Sequence, residues 1–483
     1  MRQLLMISAL LLSGCGESGQ KESDSGSAED PEDTSIDGGN DRDGGDETDS
    51  PTLDDTDTTS DADGDAGTDA DSGVDSDSAT DTGEALFAAF TVEAILASDE
   101  DYEAPGTVGI VTWSAAEITP EQAEIRFGLT TDYDLRAPVD LDESGFRTLL
   151  LGMKPDRTYH FQIAAESGGR AYVSEDYTID TGPASNLVAL TASVENPSLH
   201  ERGYIVSTQL QSPMDDNSVV FILDPDGDLV WWYLSQVGQT SRAHISYNGK
   251  SMWLIPDQGA LGSAPIQRIS LDTLESTMYD VGASHDAIPA GEDMLAFIEY
   301  GEGDCGSVFE LYEDGYTREI FESSDLLPGL VPNECHTNAI RYYESEGLYS
   351  VSDYRQDIFV IDTEGVLQWR LTDYISRDTW GGIQHGHQLL EDSIVLFANM
   401  GGASSRAAVI EYALPSGEEL FRYDPGIFSS YYGDAQRLPG GNTLATFSVS
   451  GIIHEVTPDG EPVMTVSGSA MGYAHWLPSL YVE

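Results

Sequence analysis

The sequence predicts an all-β protein in which a small β-sandwich is followed by a six-bladed β-propeller. Three features predict this fold: short apolar segments, a hairpin pattern that recurs six times, and Gly, Pro and Asp at the turns between them. An acidic segment with few apolar residues precedes the folded part. These features divide the 483 residues into four parts: 1–14, 15–85, 86–183 and 184–483.

The first part carries a positive charge at Arg2, then a short apolar run, then small residues before Cys15. The run is too short to span a bilayer and predicts a signal peptide. The stretch Leu12–Cys15 (LSGC) resembles a bacterial lipobox, which implies cleavage before Cys15 and lipidation of its thiol. We therefore expect an exported lipoprotein at the outer membrane or cell surface, facing the periplasm or the exterior and held to the membrane by acyl chains.

The second part, residues 15–85, contains 25 acidic and two basic residues. So few apolar side chains cannot offset the entropy of folding, and this composition predicts a disordered, self-repelling linker. The whole chain has 86 acidic and 21 basic residues, for a formal net charge of -65. This charge disfavours nucleic acid as a partner, and we expect none, because its phosphates must be neutralised by Lys and Arg.

The third part, residues 86–183, predicts a small β-sandwich from its short, turn-separated strands. Tyr159 lies at the start of the predicted strand 158–166, shortly after a Gly-Met-Lys-Pro turn. Trp113 lies on an early strand. These positions resemble a fibronectin type III domain, in which Tyr159 would be the tyrosine-corner residue.

The fourth part contains a repeated hairpin with Asp or Gly near its tip and an aromatic residue after it in most copies. The copies start roughly 40 to 50 residues apart, which is the size of one four-stranded propeller blade. Six copies therefore predict six blades. The hairpins are 219–234, 266–281, 307–321, 357–371, 408–423 and 451–466.

A second recurring segment precedes most hairpins and places a polar residue before an apolar strand. Aligning its copies puts four histidines and one aspartate at one position: His244, His285, His336, His385 and Asp434. If these segments form the innermost strands, their side chains converge at the mouth of the central channel. Repeat inheritance could instead have copied a packing histidine. The histidines outside this register, His200, His454 and His475, are expected to be structural or on the surface.

Two cysteines remain after Cys15 is assigned to lipidation, namely Cys305 and Cys335. An exported protein folds where disulfides are stable, and an even pair predicts one bridge. The bridge would stiffen the backbone at His336, which directly follows Cys335.

Residues 184–483 resemble the bacterial arylsulfotransferase family of the ASST type. The resemblance lies in several short motifs in order: His336-Thr-Asn338, a strand ending at Arg355, Gln384-His385 with Phe397-Ala-Asn399, 405–412, 436–444 and 474–481. It implies transfer of a sulfuryl group from a phenolic sulfate ester to another phenol through a sulfo-histidine. It also implies no nucleotide donor and no cofactor.

Within this resemblance, His385 matches the histidine that takes the sulfuryl group, although His387 competes for that role. His336, His285 and Arg355 match positions that bind the sulfate or assist the leaving phenolate. The chemistry suits these residue types, because neutral imidazole is both a nucleophile and a leaving group, Arg binds oxyanions, and protonated His donates a proton. The expected substrate-binding residues are His244, Asn338, His387 and Asn399.

Two other interpretations stay open at the level of sequence. A non-catalytic, surface-displayed propeller that binds ligands or proteins would also suit the long acidic linker and the sandwich domain. Converging imidazoles could alternatively hold Zn, Cu or Ni, although the primary expectation is a site without a metal.

Overall fold

The computed structural model describes residues 86–97, 105–257, 264–300, 305–326, 334–354, 356–399 and 406–481. The predicted signal peptide, Cys15, the acidic segment and Arg355 lie outside these residues. Strands dominate, and the described helical turns are short: α1 (Ser323–Leu326) and 3-10 turns at Ser144–Phe146, Leu371–Asp373, Arg377–Thr379 and Ser448–Ser450. None of the helices in these ranges is long and apolar enough to cross a membrane. The all-β prediction is confirmed.

The first folded part consists of two facing sheets. Its strands are β1 (Leu86–Phe87), β2 (Phe90–Leu96), β3 (Gly109–Ala115), β4 (Gln122–Gly128), β5 (Leu135–Pro138), β6 (Thr148–Leu150), β7 (Thr158–Ser167), β8 (Arg170–Val173) and β9 (Tyr177–Asp180). One sheet has the order β2-β3-β6, and the other has the order β1-β8-β7-β4-β5 with β9 also paired to β7. Trp113, Phe127 and Phe161 belong to the core between them.

Tyr159 lies on β7 with its side chain buried in this core. The backbone N–H of Lys154 donates a hydrogen bond of 2.9 Å to the Tyr159 hydroxyl oxygen. A tyrosine-corner hydroxyl bonds in the same way to backbone a few residues upstream. The assignment of this part to the fibronectin type III class stays a prediction.

The remaining described strands form the β-propeller. They are β10 (Leu190–Val194), β11 (Tyr204–Gln209), β12 (Val219–Leu223), β13 (Leu229–Leu234), β14 (Thr240–Ile245), β15 (Ser251–Pro256), β16 (Ala264–Ser270), β17 (Ser276–Gly291), β18 (Met294–Tyr300), β19 (Gly306–Tyr312), β20 (Thr317–Glu322), β21 (Thr337–Tyr343), β22 (Leu348–Asp353), β23 (Ile358–Asp362), β24 (Leu367–Arg370), β25 (Gln384–Leu389), β26 (Ser393–Ala398), β27 (Ala408–Ala413), β28 (Glu419–Tyr423), β29 (Asp434–Arg437), β30 (Thr443–Phe447), β31 (Ile452–Val456), β32 (Pro462–Gly468) and β33 (His475–Leu477).

Antiparallel pairing joins these strands into five sheets, one of them the seven-stranded sheet β14 to β20. We call each four-stranded group a blade and count the seven-stranded sheet as two blades that share β17, so the number six stays a prediction. The first blade joins both ends of this region, because β33 pairs with β11. The long strand β17 ends the second blade and begins the third. In order, the blades are β33-β11-β12-β13, β14 to β17, β17 to β20, β21 to β24, β25 to β28, and β29 to β32 with β10 added at its outer edge.

The second strand of most blades is buried along its whole length, as in β11, β15, β26 and β30. Neighbouring blades cover both of its faces, so its sequence is largely apolar rather than alternating. The first, innermost strand is different: it carries polar side chains such as Arg242 and Asp434, which bond to each other across the channel. The innermost strands therefore position the candidate site.

Cys305 and Cys335 form a disulfide, with their Cα atoms 5.0 Å apart. Cys305 lies directly before β19, and Cys335 lies shortly before β21, so the bridge links the third and fourth blades. The predicted disulfide is confirmed. It anchors the backbone next to His336, at the start of the fourth blade.

The sandwich and the propeller belong to one compact unit and are bonded directly. The Lys154 ammonium lies 2.7 to 3.1 Å from the three carboxylates of the Asp224–Asp228 turn. Beyond the last strand, the Tyr481 hydroxyl accepts a hydrogen bond from Leu151 N–H at 2.7 Å and donates one to the Leu149 carbonyl at 3.0 Å.

Candidate active site

Three of the four aligned histidines meet at one end of the channel. The His285 and His336 rings are 4.8 Å apart, edge to face. The Tyr354 ring lies between the other pair, at 5.2 Å from His336 and 5.7 Å from His385. We call His285, His336 and His385 the histidine cluster; they come from the third, fourth and fifth blades.

Tyrosine rings enclose this cluster. Tyr300 lies 5.1 Å from His285, and the buried Tyr432 lies 6.4 Å from both His285 and His385. Aromatic rings at these separations can pack edge-on or offset against a further aromatic group. The site thus combines imidazole nitrogens with walls suited to an aryl ring.

Asn399 fixes the orientation of the His385 ring. The Asn399 amide nitrogen donates to the carbonyls of Ser429 at 3.0 Å and Tyr432 at 2.8 Å. Carbonyl oxygens only accept, so the nitrogen must face them and the amide oxygen must face His385 Nδ1, at 2.7 Å. His385 Nδ1 therefore carries the hydrogen, and Nε2 keeps its lone pair.

Burial, with some help from the nearby histidines, lowers the pKa of His385 to about 3. Only 1% of its surface is exposed, and moving a charged imidazole out of water is costly. His385 is accordingly neutral at pH 7. A neutral imidazole with a fixed tautomer is the form of histidine that can act as a nucleophile.

His285 combines a strained backbone with a nearby carboxylate. Its φ of 64° lies in the left-handed region, which costs a non-glycine residue free energy and often marks a functional position. Its Nδ1 atom is 2.9 Å from the Ser284 hydroxyl oxygen and 3.6 Å from Asp257 Oδ1. The buried Asp257 carboxylate is close enough to stabilise positive charge on this ring.

Below the histidine cluster, two arginines and two aspartates form a closed cycle across the channel. Arg242 bonds to Asp286 at 2.5 Å and Asp434 at 2.7 Å, and Arg341 bonds to the same two carboxylates at 2.8 and 2.6 Å. Each charge has two opposite partners, which offsets the cost of burying it. This salt-bridge cycle joins the second, third, fourth and sixth blades.

On the fifth blade, Gly386 lies at the same position along the channel as the salt-bridge cycle. A Cβ atom there would collide with the Asp434 carboxylate. His385 and His387 flank Gly386, so they lie on opposite sides of that position. His387 Nε2 is 2.7 Å from the Ser350 hydroxyl oxygen, and its ring is fully buried away from the cluster. The structure thus places His385 in the histidine cluster and His387 on the other side of the salt-bridge cycle.

His244 is likewise not in the histidine cluster; its ring packs 5.0 Å from His475. The predicted alignment was wrong here because the innermost strands carry irregular pairing. His285 lies inside the shifted stretch between Ala283 and Ala287, whereas His244 lies beyond the shift in its strand and pairs with Trp253. Counting residues at the same spacing in every repeat therefore placed His244 at the wrong position along the channel.

Asn338 and Asn399, both expected to bind substrate, support other residues. Asn338 Nδ2 donates to the Gln384 carbonyl at 2.8 Å and braces the strand that carries His385. Asn399 orients His385 as described above. Arg355 lies outside the described residues.

Sequence reasoning missed Asp257, Tyr300 and Tyr354. Each stands at the end of the second strand of its blade or directly after it, as Asn399 does in the fifth blade. Aligning those strand ends would have revealed a second set of site residues, facing the ends of the innermost strands. Among the described residues, no group of three or more His, Cys, Asp or Glu has a metal-binding arrangement.

No protein-family model matches the sequence, and no curated protein matches it. Among solved structures, the chain is similar to a protein of unknown function from Bacteroides caccae (14% identity, TM-score 0.40, 58% of this chain and 100% of that one). It is also similar to virginiamycin B lyase from Staphylococcus aureus (13%, 0.37, 60% and 88%) and to a β-propeller domain from Myceliophteria thermophila (10%, 0.38, 59% and 88%). At these levels the similarities concern the β-propeller fold and carry no argument about activity.

Proposed function

We propose that this protein is an aryl sulfotransferase that moves a sulfuryl group between phenols through a sulfo-histidine at His385. The observation that carries the proposal is the hydrogen bond from His385 Nδ1 to Asn399 Oδ1, which leaves Nε2 as the nucleophilic atom. The sequence resemblance to the arylsulfotransferase family, which extends over the histidine cluster, supports the same assignment.

In the first half-reaction, Nε2 attacks the sulfur of a phenolic sulfate ester. The N–S bond forms as the S–O bond to the phenol breaks, and the electron pair of that bond leaves with the phenolate. The sulfo-imidazole ring gains positive charge, which the Asn399 oxygen stabilises through the Nδ1 hydrogen. In the second half-reaction a phenol oxygen attacks the same sulfur, and Nε2 leaves with its electron pair.

His285 is the proposed proton carrier. In its protonated form it gives a proton to the departing phenolate, and in the return step it takes a proton from the attacking phenol. Asp257, 3.6 Å from His285 Nδ1, supports the charged ring. His336, 4.8 Å from His285 between centroids, lies where it can bind a sulfate oxygen.

The tyrosines around the cluster suit the aryl group of the substrate. Tyr300, Tyr354 and Tyr432 present ring surfaces next to all three histidines. A phenyl ring held between them would place its ester sulfur near His385 Nε2, and the rings would keep bulk water away from the sulfo-histidine. As part of the same proposal, the acyl chains at Cys15 hold the enzyme to a membrane outside the cytoplasm.

The test uses the full-length chain with nitrophenyl sulfate as donor and phenol as acceptor. Phenol-dependent release of nitrophenol is expected, with loss in His385→Asn and retention in His387→Asn. Rapid quenching without acceptor should give a chain heavier by one sulfuryl group, and peptide mapping should place that group on His385.

The proposal fails if correctly folded protein, judged by circular dichroism, releases no nitrophenol and gains no sulfuryl group across a panel of aryl sulfates. Loss of turnover in His387→Asn but not in His385→Asn would move the nucleophile and contradict the assignment to His385.

A further inference from the structure

A pocket of about 270 Å³ opens away from the histidine cluster, near the ends of the innermost strands. His244, Arg341, Gln388 and His475 belong to its lining, and none of the three clustered histidines does. The salt-bridge cycle lies between this pocket and His385. Nothing in the proposed sulfuryl transfer uses these residues.

Two imidazole nitrogens of residues that line this pocket are buried without a hydrogen-bond partner: His244 Nε2 and His475 Nδ1. The two rings are 5.0 Å apart, and His244 is only 2% exposed. A buried polar atom without a partner costs roughly 1–3 kcal/mol, so it is normally satisfied by some group. Both atoms therefore point to a bound polar ligand.

The charge that faces the pocket is positive. Arg242, Arg341 and Asp434 line it, while Asp286, the fourth member of the cycle, does not. Two arginines and one aspartate thus line the cavity. The pKa values of His244 and His475 are lowered first by burial and then by neighbouring positive charge, including both arginines. An anionic group is favoured over a cationic one in such a field.

We propose that this pocket binds a small hydroxylated carboxylic acid with an apolar side. The carboxylate accepts hydrogen bonds from the arginines, most directly Arg341, which is the more exposed of the two. The hydroxyl group bonds to both imidazoles by donating to the bare nitrogen of one ring and accepting from the N–H of the other. Ile288, Ala435 and Ala474 provide the apolar wall.

The probes are mandelate and phenylacetate, which share a phenyl ring and a carboxylate but differ by one hydroxyl group. We expect mandelate to bind the full-length chain in calorimetry and to raise its Tm, with phenylacetate about tenfold weaker. His244→Leu should reduce mandelate affinity to the phenylacetate level without affecting phenylacetate. Ile288→Trp, which fills the cavity, should weaken both.

Two controls make the outcome decisive. His454→Leu replaces a histidine of the sixth blade that bonds to Tyr423 of the fifth blade, and it should leave mandelate binding unchanged. His385→Asn should also leave it unchanged, because the pocket does not include the histidine cluster. Equal affinity for the two probes, no binding of either, or loss of binding in His385→Asn would each overturn the proposal, and none of these results tests sulfuryl transfer.

Discussion

At the scale of single residues, Asn399 and His385 show how one hydrogen bond selects a tautomer. Replacing Asn399 with Leu removes the acceptor for Nδ1–H, so the hydrogen can move to Nε2 and block the nucleophile. We expect kcat to fall by about 10- to 100-fold with little change in KM. Steady-state kinetics with nitrophenyl sulfate measures both constants.

Asn399→Asp is the control: one carboxylate oxygen restores an acceptor at Nδ1, while the other meets the Ser429 and Tyr432 carbonyls and lowers the Tm. Part of kcat should therefore return although stability does not. A packing effect of Asn399 would behave differently: both variants would then lose activity in step with a loss of Tm. That result would contradict a tautomer-fixing role.

The pKa of His385 gives a second residue-scale prediction. An ordinary histidine is protonated as the pH falls through 6.5, but burial lowers the His385 pKa to about 3. The nucleophile therefore stays neutral throughout the mildly acidic range. We expect kcat/KM not to decrease between pH 7 and pH 5. A decrease centred near pH 6.5 would show that an ordinary, exposed imidazole is the nucleophile.

At the scale of elements, sequence periodicity predicted the strands and their repeat but not the level of each side chain along the channel. The hairpin spacing predicted blades correctly because each apolar second strand must be covered on both faces. His244 was misplaced because pairing irregularities in the innermost strands differ from blade to blade, and a one-residue shift reverses the direction of a side chain.

The salt-bridge cycle illustrates the same limit. Asp434 was aligned with the histidines, but its partners Arg242 and Arg341 come from other blades and lie 192 and 93 residues away. Only the closure of the propeller brings these charges together, so no local pattern could indicate them. Asn399 and His385 were predictable because both belong to one hairpin.

The disulfide also acts at the scale of elements, because it holds the start of the fourth blade to the third. Cys305 and Cys335 are 30 residues apart. A disulfide that closes a loop of this length lowers the conformational entropy of the unfolded chain, which stabilises the folded protein by about 2–4 kcal/mol. Urea denaturation of a Cys305→Ser/Cys335→Ser variant should show a free energy of unfolding lower by that amount. Reductant should destabilise the native chain and leave the variant unchanged; equal sensitivity of both chains would contradict the prediction.

At the scale of the whole molecule, a propeller is stable only if its first and last blades are joined. The chain does this with strands, since β10 pairs with β32 and β33 pairs with β11. A buried ion pair also stabilises this junction between the first and last blades, which we call the seam. His200 Nδ1 lies 2.5 Å from Glu455 Oε2, and His200 Nε2 lies 2.8 Å from the Pro225 carbonyl oxygen. His200, expected from sequence to be structural or on the surface, is structural and connects the sixth blade to the first.

The His200–Glu455 pair makes the stability of the seam depend on pH. Burial alone would lower the pKa of His200, but the Glu455 carboxylate and the Pro225 carbonyl outweigh it and raise that pKa above 6.5. The folded chain therefore holds the proton more tightly than the unfolded chain does. Its contribution is present in full below pH 6.5 and is lost as the pH rises through the folded-state pKa. Replacing His200 with Gln should cost about 3 kcal/mol at pH 6 and less at pH 9.

Thermal and urea unfolding of both chains at the two pH values measures this difference. His160→Gln serves as the control, because His160 pairs with Asp176 at 2.8 Å on the partly exposed surface of the sandwich, where an ion pair contributes little. The seam explanation requires the native chain to lose its advantage over His200→Gln as the pH rises. A constant difference at pH 6 and pH 9 would mean that His200 stabilises the closure by packing and its carbonyl contact, with no contribution from its charge.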